Sequence, residues 1–217
     1  MPAAGLDRDA IARVALAQLD EVGLEALSLR RVAKDLGVHP SALYYHFANK
    51  QELLDEMARV IVLDTIGDRP GPTGIHWDDW LIHLARTQRH AARTHRDGAV
   101  LMLRARPNAD YQFAYLDTLI ALLVAEGFTA EGAGRAFAAV TSYAIGVAAA
   151  EQQRVYIAQD TATPPAAADH PGFTAIANAS SAEEASFEAG LRWLIDGLRA
   201  DLHTNSQQPT NATPVDR

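Results

Sequence analysis

The chain has 217 residues, no cysteine and a formal net charge of -8 at pH 7. Its length suffices for the core of one or two domains. The lack of cysteine excludes disulfide bonds, thiolate metal sites and a cysteine nucleophile. No apolar run approaches the roughly 20 residues that span a bilayer, and Met1–Gly5 does not look like a signal peptide. We therefore expect a cytoplasmic protein without a membrane partner.

The acidic charge is unevenly distributed along the chain. Residues 1–50 contain as many Lys and Arg as Asp and Glu, so the rest of the chain carries the whole net charge. Between Arg30 and Lys50 the basic residues Arg30, Arg31, Lys34 and Lys50 face a single acidic residue, Asp35. A basic patch on an acidic body is compatible with nucleic-acid binding, although such a stretch is also typical of an ordinary solvated surface.

The spacing of apolar residues predicts helices throughout and no strand, which makes the protein all-α. The predicted helices cover, approximately, residues 7–22, 29–36, a short helix that begins at Pro40, 50–66, 77–94, 98–104, 108–126, 129–153 and 181–202.

Local signals mark the ends of these helices. Gly23, Gly37 and Gly127 are predicted stops, and Ser28 and Asn49 are predicted N-caps. Ser181-Ala-Glu-Glu184 matches a capping box. Residues 155–180 are rich in Ala, Pro, Thr and Asn, which predicts a mobile loop, and residues 204–217 are predicted to be a disordered tail.

A Pro- and Gly-rich break from Asp68 to Gly74 divides the chain. We expect a domain of three helices at residues 1–50, with the helix at 50–66 as a connector. A larger helical domain would then occupy residues 67–203, followed by the tail at 204–217.

The second and third predicted helices form a helix-turn-helix pattern. Gly37-Val38-His39 joins them, Leu43 and Phe47 face inward, and small and polar residues face outward. This geometry lets a short helix enter the major groove of DNA. The pattern alone occurs often by chance, so it does not settle the function.

More specific motifs lie in and after this pattern. Leu29–Val38 and Ala42–Asp55, with the core Leu-Tyr-x-His-x-x-Asn-Lys, closely resemble the TetR family of transcriptional regulators, and the tetracycline-repressor branch most of all. His95–Ala99, Arg106-Pro107, Glu126–Phe128 and Gly146 also match that branch in order, so the resemblance spans roughly residues 6 to 202. It implies a homodimeric regulator, usually a repressor, that binds a palindromic double-stranded DNA operator and is released by a small-molecule effector.

The resemblance also implies residue roles in DNA binding. The implied contacts are Ser28, Arg30, Pro40, Ser41, Tyr44, Tyr45, His46 and Lys50. Arg30 would reach a guanine edge, Tyr44 and His46 would bind phosphates or a thymine methyl group, and Lys50 would bind a phosphate. Pro40 replaces a Gln that is usual in that branch, so the operator should differ there. Packing explains Tyr45 and Phe47 better than DNA contact does.

An effector pocket is implied in the larger domain. Its expected lining is Ile66, Leu84, Gln88, Met102, Ala105, Arg106, Phe113, Ser142 and Tyr143. Met102 stands where the tetracycline-repressor branch has a His that holds magnesium, and Ala150 replaces a Glu. Without that imidazole and carboxylate a hard cation lacks an adequate site. We therefore expect no metal, no cofactor and an effector other than magnesium–tetracycline.

The four histidines His76, His83, His90 and His95 do not suggest a metal site. The first three are seven residues apart along a helix, a separation of about 10 Å, which is too far for ligands of one ion. Pocket or surface positions explain them better.

Two long helices, at residues 130–153 and 181–202, are the expected dimer elements, since they can pack with their symmetry mates as a four-helix bundle. Packing within one chain is the alternative for these helices.

Three other functions remain open at this stage. An enzyme is poorly supported, because the sequence has no Gly-rich phosphate loop, no serine nucleophile elbow and no metal-spaced cluster. A DNA-binding or scaffolding protein that needs no ligand is a second alternative. Activation rather than repression is a third, because it depends on where the operator lies relative to a promoter.

Overall fold

The computed structural model describes residues 6–66, 74–107, 110–159 and 170–207. These residues are almost entirely helical and form no strand, so the all-α prediction is confirmed. The helices of the described residues are α1 (Arg8–Ala26), α2 (Leu29–Asp35), α3 (Pro40–Tyr44), α4 (Lys50–Ile66), α5 (Trp77–Arg93), α6 (Gly98–Arg104), α7 (Asp110–Ala125), α8 (Ala130–Gln159), α9 (Pro171–Ser181) and α10 (Glu183–Gln207).

The first helices begin at the capping residues that the sequence predicts. The Ser28 side chain accepts a hydrogen bond from the backbone N–H of Arg31 at the start of α2. Asn49 Oδ1 accepts from the N–H of Glu52 at 3.1 Å, so Asn49 caps α4. Pro40 occupies the first turn of α3, where its missing N–H costs nothing.

Helix α1 bends at Gly23 instead of ending there. Gly23 has φ 76° and ψ 169°, and the helix resumes beyond it as far as Ala26. This backbone conformation is essentially restricted to glycine. Leu24 is buried directly after the bend, and its N–H donates to Asp97 Oδ2 at 2.8 Å. Gly23 was a predicted stop, and a tertiary contact instead holds the residues beyond it in place.

The prediction of a loop at residues 155–180 is wrong for residues 155–159 and 170–180, which the structure describes. Helix α8 continues to Gln159, and α9 begins at Pro171. Alanine favours helix and proline is accepted in the first turn, so this composition builds helix as readily as loop. The Pro164-Pro165 pair lies outside the described residues.

Four smaller predictions concern helix ends and the break between the two regions. The capping box at Ser181 is not formed, because Ser181 ends α9 and its hydroxyl donates to the carbonyl of Asn178 at 2.8 Å. Helix α10 continues to Gln207, so the tail prediction is wrong for residues 204–207, while residues 208–217 lie outside the description. Asn108, the predicted start of α7, and residues 68–73 of the predicted break also lie outside it.

An N-terminal core holds α1 to α4 together. Leu43 and Phe47 are fully buried in it, and it also takes in Ala91 of α5 and Leu101 of α6. Ion pairs tie α1 to α4 at the surface, with Arg13 bound to Asp64 at 2.6 Å. The core that supports α3 therefore includes residues from α5 and α6 of the C-terminal region.

A second core joins α5, α7, α8 and α10. Its buried members are Trp77, Trp80, Leu81, Leu84, Ala85, Leu119, Leu123, Phe128, Ala133, Ala136, Val140, Ala144, Phe187, Leu191 and Ile195. The Tyr143 ring stacks on Phe187 with centroids 5.6 Å apart. A Cβ at Gly190 would lie 2.1 Å from the Tyr143 hydroxyl, so only glycine lets α8 and α10 approach this closely.

A buried ion pair lies beside this stack. Arg89 Nη2 is 2.8 Å from Glu151 Oε1, and these side chains are 7% and 3% exposed. The Arg89 guanidinium also lies 4.5 Å from the centre of the Phe187 ring. The pair joins α5 to α8, and its charges compensate each other where water is excluded.

Within the described residues one helical segment, Ala130–Val155 of α8, is long and apolar enough to cross a membrane. No segment of this kind was expected from the sequence. Its residues Ala133, Ala136, Val140 and Ala144 are buried in the second core. Packing in the second core therefore accounts for the apolar residues on one side of this helix.

Candidate nucleic-acid interface and effector domain

Helix α3 has one buried and one exposed side. Leu43 and Phe47 anchor it in the N-terminal core, whereas Tyr44 is 51% and Tyr45 91% exposed. The Arg8 guanidinium lies 4.3 Å from the Phe47 ring centre and donates to the carbonyl oxygen of His46. Buried apolar contacts and one arginine thus hold α3 in place, and its other side remains available to a partner.

Tyr45 corrects one of the sequence-based interpretations. Packing was the better explanation for this residue, yet its side chain is almost fully exposed. The packing role falls to Phe47, which is fully buried. An aromatic ring that is exposed to water has an unfavourable solvation free energy in the isolated chain. Exposed aromatic side chains are typical of surfaces that contact a partner.

Basic side chains lie on α2 and at the start of α4, the helices that precede and follow α3. Arg30, Arg31 and Lys34 of α2 are exposed, and among the described residues they form no ion pair. Lys34 and Lys50 are the two lysines of the chain. Lys50 is half-buried, and its Nζ donates to the carbonyl of Leu24 at 3.0 Å. An ammonium group has three N–H donors, so two remain for a phosphate.

Most of the expected DNA contacts therefore occupy one region of the N-terminal helices. Ser28 and Arg30 stand at the start of α2, and Pro40 and Ser41 at the start of α3. His46 is half-buried just after α3.

His39, which was not among the expected contacts, also lies in this region. It is the N-cap of α3, and its Nδ1 accepts from the N–H of Ser41 at 3.3 Å. Its position directly before Pro40 was the signal that could have identified it, because the residue before a helix-starting proline is the cap.

The bent end of α1 contacts the turn between α5 and α6. Asp20 Oδ1 accepts from the backbone N–H of Arg96 at 2.9 Å, and Asp20 Oδ2 lies 2.8 Å from His95 Nδ1. Asp97 has φ 55° and accepts from the N–H of Leu24. The segment His95–Ala99 was noted only as part of the family resemblance, yet it joins the N-terminal helices to the C-terminal region.

The residues expected to bind an effector lie in several environments. Leu84 is buried in the second core, and Gln88 is half-buried on the same helix. Met102 and Ala105 are half-buried and pack against the N-terminal core. Arg106 is exposed, and its backbone N–H donates to Asp55 Oδ1 at 2.9 Å.

The other residues that were expected to bind an effector belong to α4, α7 and α8. Phe113 is 51% exposed, and Ser142 is exposed. The Tyr143 hydroxyl donates to the carbonyl of Phe187 at 3.0 Å, so only its oxygen lone pairs are left for an effector. The side chain of Ile66 is outside the description.

A cavity of about 290 Å³ lies between α8, α9 and α10. Tyr143 and Phe187 form one wall, Ile176 of α9 another, and the charged groups of Glu151 and Arg154 contribute polar atoms. Its size is near the lower end for sites that hold small molecules.

The start of α5 carries the strongest pKa shift of an acidic group in the described residues. Burial alone raises the pKa of Asp78, but hydrogen bonds from His76 and Arg199 outweigh burial and lower it to about 2. Arg199 Nε donates to Asp78 Oδ2 at 2.8 Å, which ties α10 to α5. The same contact with Asp78 raises the pKa of His76.

These features define a class of protein: a helix-turn-helix DNA-binding protein with a larger helical C-terminal domain. Comparison with protein families agrees. A model described as "Bacterial regulatory proteins, tetR family" matches residues 11–57, and "Tetracyclin repressor-like, C-terminal domain" matches residues 70–202.

Individual relatives resemble the chain along most of its length. The tetracycline repressor protein class A from transposon 1721 of Escherichia coli is 33% identical over 196 residues, which cover 89% of this chain and 90% of that protein. The crystal structure of a possible TetR family transcriptional regulator from Streptomyces coelicolor A3(2) has a TM-score of 0.73 at 32% identity, with 89% of this chain and 99% of that chain covered. The structure of Streptomyces coelicolor ActR in complex with (S)-DNPA has a TM-score of 0.72 at 29% identity, with 91% and 99% covered.

The chain belongs to the TetR family of bacterial regulatory proteins. The resemblance inferred from the sequence is confirmed. The relatives are transcriptional regulators and not enzymes, which fits the expectation of a non-enzymatic protein.

Proposed function

We propose that this protein is a repressor that binds a palindromic operator as a homodimer and leaves it when a small molecule other than magnesium–tetracycline binds. One observation carries the proposal. Tyr44, Tyr45 and Ser41 form an exposed side of α3, while Leu43 and Phe47 fix the opposite side in a rigid core. A short helix held in this way can enter the major groove and present side chains to base edges.

The surrounding groups supply affinity that does not depend on sequence. Arg30, Arg31 and Lys34 are exposed beside α3, and two N–H donors of Lys50 remain unused by its contact with Leu24. Phosphate contacts fix the register of a protein on DNA and release counterions, so binding weakens as salt rises.

Exposed apolar groups support the dimer. Trp193 on α10 is 73% exposed, although a tryptophan side chain can bury roughly 150–250 Å². A matching helix from a second copy would cover it in a four-helix bundle of α8 and α10 with their mates. Two copies of α3 about 34 Å apart would then read successive major grooves.

The chemistry of the C-terminal domain supports the choice of effector. Met102, which replaces a magnesium-binding histidine of the tetracycline-repressor branch, is half-buried among Ala92, Ala99 and Ala148. These apolar groups offer no oxygen ligands to a hard cation. ActR, which is similar over most of its length, was crystallised with (S)-DNPA, so the fold accepts effectors of other kinds.

The deciding experiment is selection of DNA by the purified full-length chain from a library of random duplexes at physiological salt. We expect an enriched palindrome, bound at least about a thousandfold more tightly than random duplex. Binding of the enriched site in increasing salt should give a linear fall of log affinity with log salt concentration. No preference for any palindrome over a shuffled duplex of the same composition would refute the proposal.

A further inference from the structure

His39 and Ser41 flank Pro40 at the start of α3, and both side chains are exposed. His39 Nδ1 accepts from the backbone N–H of Ser41 at 3.3 Å and lies 2.8 Å from Ser41 Oγ. Because a backbone N–H can only donate, Nδ1 carries no proton in this arrangement. The neutral imidazole therefore holds its proton on Nε2, which makes Nε2–H a hydrogen-bond donor.

The same contact fixes the role of the Ser41 hydroxyl. Since Nδ1 is an acceptor, the hydroxyl of Ser41 donates its single proton to it. Only the lone pairs of Oγ then remain for an outside partner. His39 and Ser41 together present one donor and one acceptor, whereas Pro40 between them has no hydrogen-bonding group on its side chain or nitrogen.

We propose that His39 and Ser41 act as one base-reading pair, in which His39 selects a guanine. The inference rests on the proposed function, because it requires α3 to lie in the major groove. Guanine presents two acceptors there, N7 and O6, while adenine presents one acceptor beside an amino donor. His39 Nε2–H donates to guanine O6, the position at which adenine carries an amino group that cannot accept. Ser41 Oγ accepts from the amino group of an adjacent adenine or cytosine.

Two observations favour a role of His39 beyond capping. A helix cap needs only the hydrogen bond from the backbone N–H of Ser41 to His39 Nδ1. The additional contact with Ser41 Oγ restrains the orientation of the exposed ring edge. Pro40 cannot read a base by hydrogen bonding, so the readout at this end of α3 passes to its exposed neighbours. The contact between His39 and Ser41 therefore couples the two exposed groups.

The test compares base preferences of the full-length wild type, His39→Ala, His39→Asp and Ser41→Ala on a duplex library randomised within each half-site. Aspartate is a good helix cap, so His39→Asp keeps the cap and replaces the donor with acceptors. We expect wild type to prefer guanine at one position by about tenfold. His39→Ala should lose this preference, and His39→Asp should shift it to cytosine, whose N4 amino group donates to a carboxylate.

Ser41→Ala should lose the preference at the neighbouring position and reduce the guanine preference without abolishing it. The hydroxyl contact that helps orient the ring is removed, while the backbone N–H of residue 41 still donates to His39 Nδ1. Lys34→Ala serves as the comparison for a phosphate contact, since it should weaken binding to all sequences by the same factor. Circular dichroism of each variant reports whether the helices remain folded.

The outcomes separate this inference from the proposed function. If the His39 variants weaken binding to every sequence equally and keep the wild-type base preferences, His39 is only a cap or a phosphate contact and the inference is wrong. If the wild type selects no palindrome at all, the proposed function fails and the base-reading pair fails with it.

Discussion

Single side chains determine what the exposed side of α3 can recognise. Tyr44 is half-exposed one residue after the buried Leu43, so its ring leaves the core while its backbone stays anchored. Tyr45 extends further into solvent, and His39 and Ser41 occupy the other end of the helix. The proposed recognition surface is therefore small, and loss of one side chain should remove a large share of the free energy of operator binding.

We expect Tyr44→Ala to weaken operator binding by at least about tenfold, because a base or phosphate contact of this kind contributes about 1–3 kcal/mol. The side chain is exposed, so helicity and oligomeric state should not change. Fluorescence anisotropy with the selected operator measures the effect. Tyr115→Ala on α7 is the matched control and should bind like the wild type; equal losses in the two variants would contradict a specific role for Tyr44.

The carboxyl group of Asp78 makes stability depend on pH. Its pKa is about 2 in the folded protein, below the ordinary value of 3.8. The folded state therefore binds its proton later than the unfolded state as pH falls. The stabilisation is complete above about pH 4 and is lost as pH falls towards 2.

Asp78→Asn should therefore be less stable than the wild type at pH 6, by at most about 2 kcal/mol, and the difference should shrink near pH 2. Urea unfolding at a series of pH values measures this difference. Asp79→Asn removes the exposed neighbouring carboxylate and serves as the control variant. A constant difference between wild type and Asp78→Asn at all pH values would show that the carboxylate does not titrate as described.

At the scale of helices, some boundaries follow from local chemistry and others do not. Ser28, Asn49 and Pro40 act on the backbone a few residues away, so the sequence was sufficient to place the starts of α2, α4 and α3. The bend at Gly23 depends on Asp97, which is distant in sequence and could not be identified from periodicity. Helix α9 was missed because Pro and Ala were interpreted by composition alone.

The contact between α8 and α10 gives a prediction at this scale. Gly190→Ala would place a Cβ against the Tyr143 hydroxyl, so the ring must move and lose its bond to the Phe187 carbonyl. Overpacking of this kind costs about 1–3 kcal/mol, measurable by chemical denaturation.

Gly134→Ala on α8 is the control for Gly190→Ala. A Cβ there meets no atom within 4 Å, and alanine should stabilise the helix by about 1 kcal/mol. A neutral or stabilising effect of Gly190→Ala would mean that Tyr143 does not pack as observed.

In the whole molecule, the DNA-binding helices and the C-terminal region are not separate bodies joined by α4 alone. Ala91 and Leu101 belong to the N-terminal core, although the sequence placed the domain boundary at residue 67. Asp20, Leu24 and Asp97 add hydrogen bonds between the two regions. The sequence motifs identified the exposed Tyr44 and Ser41, but not the His39 cap or this junction, because both depend on side-chain geometry between residues.

The proposed dimer depends on the exposed face of α10. Trp193→Glu would place a charge in the interface, so we expect a monomer and a large loss of operator affinity. Analytical ultracentrifugation measures the first effect and anisotropy the second. Ile75→Glu introduces the same charge at another exposed apolar position and should remain dimeric. A dimeric Trp193→Glu variant would show that the subunits associate elsewhere.

The chain uses seventeen arginines and two lysines, and both lysines, Lys34 and Lys50, lie beside the helix-turn-helix. Side-chain amines are thus confined to the DNA-binding region. Reagents that acylate amines spare guanidinium groups, and apart from the N-terminal amine they would act on this region alone. Bound DNA would shield these two amines, so a slower acylation would report on DNA binding without changing any side chain of the C-terminal region.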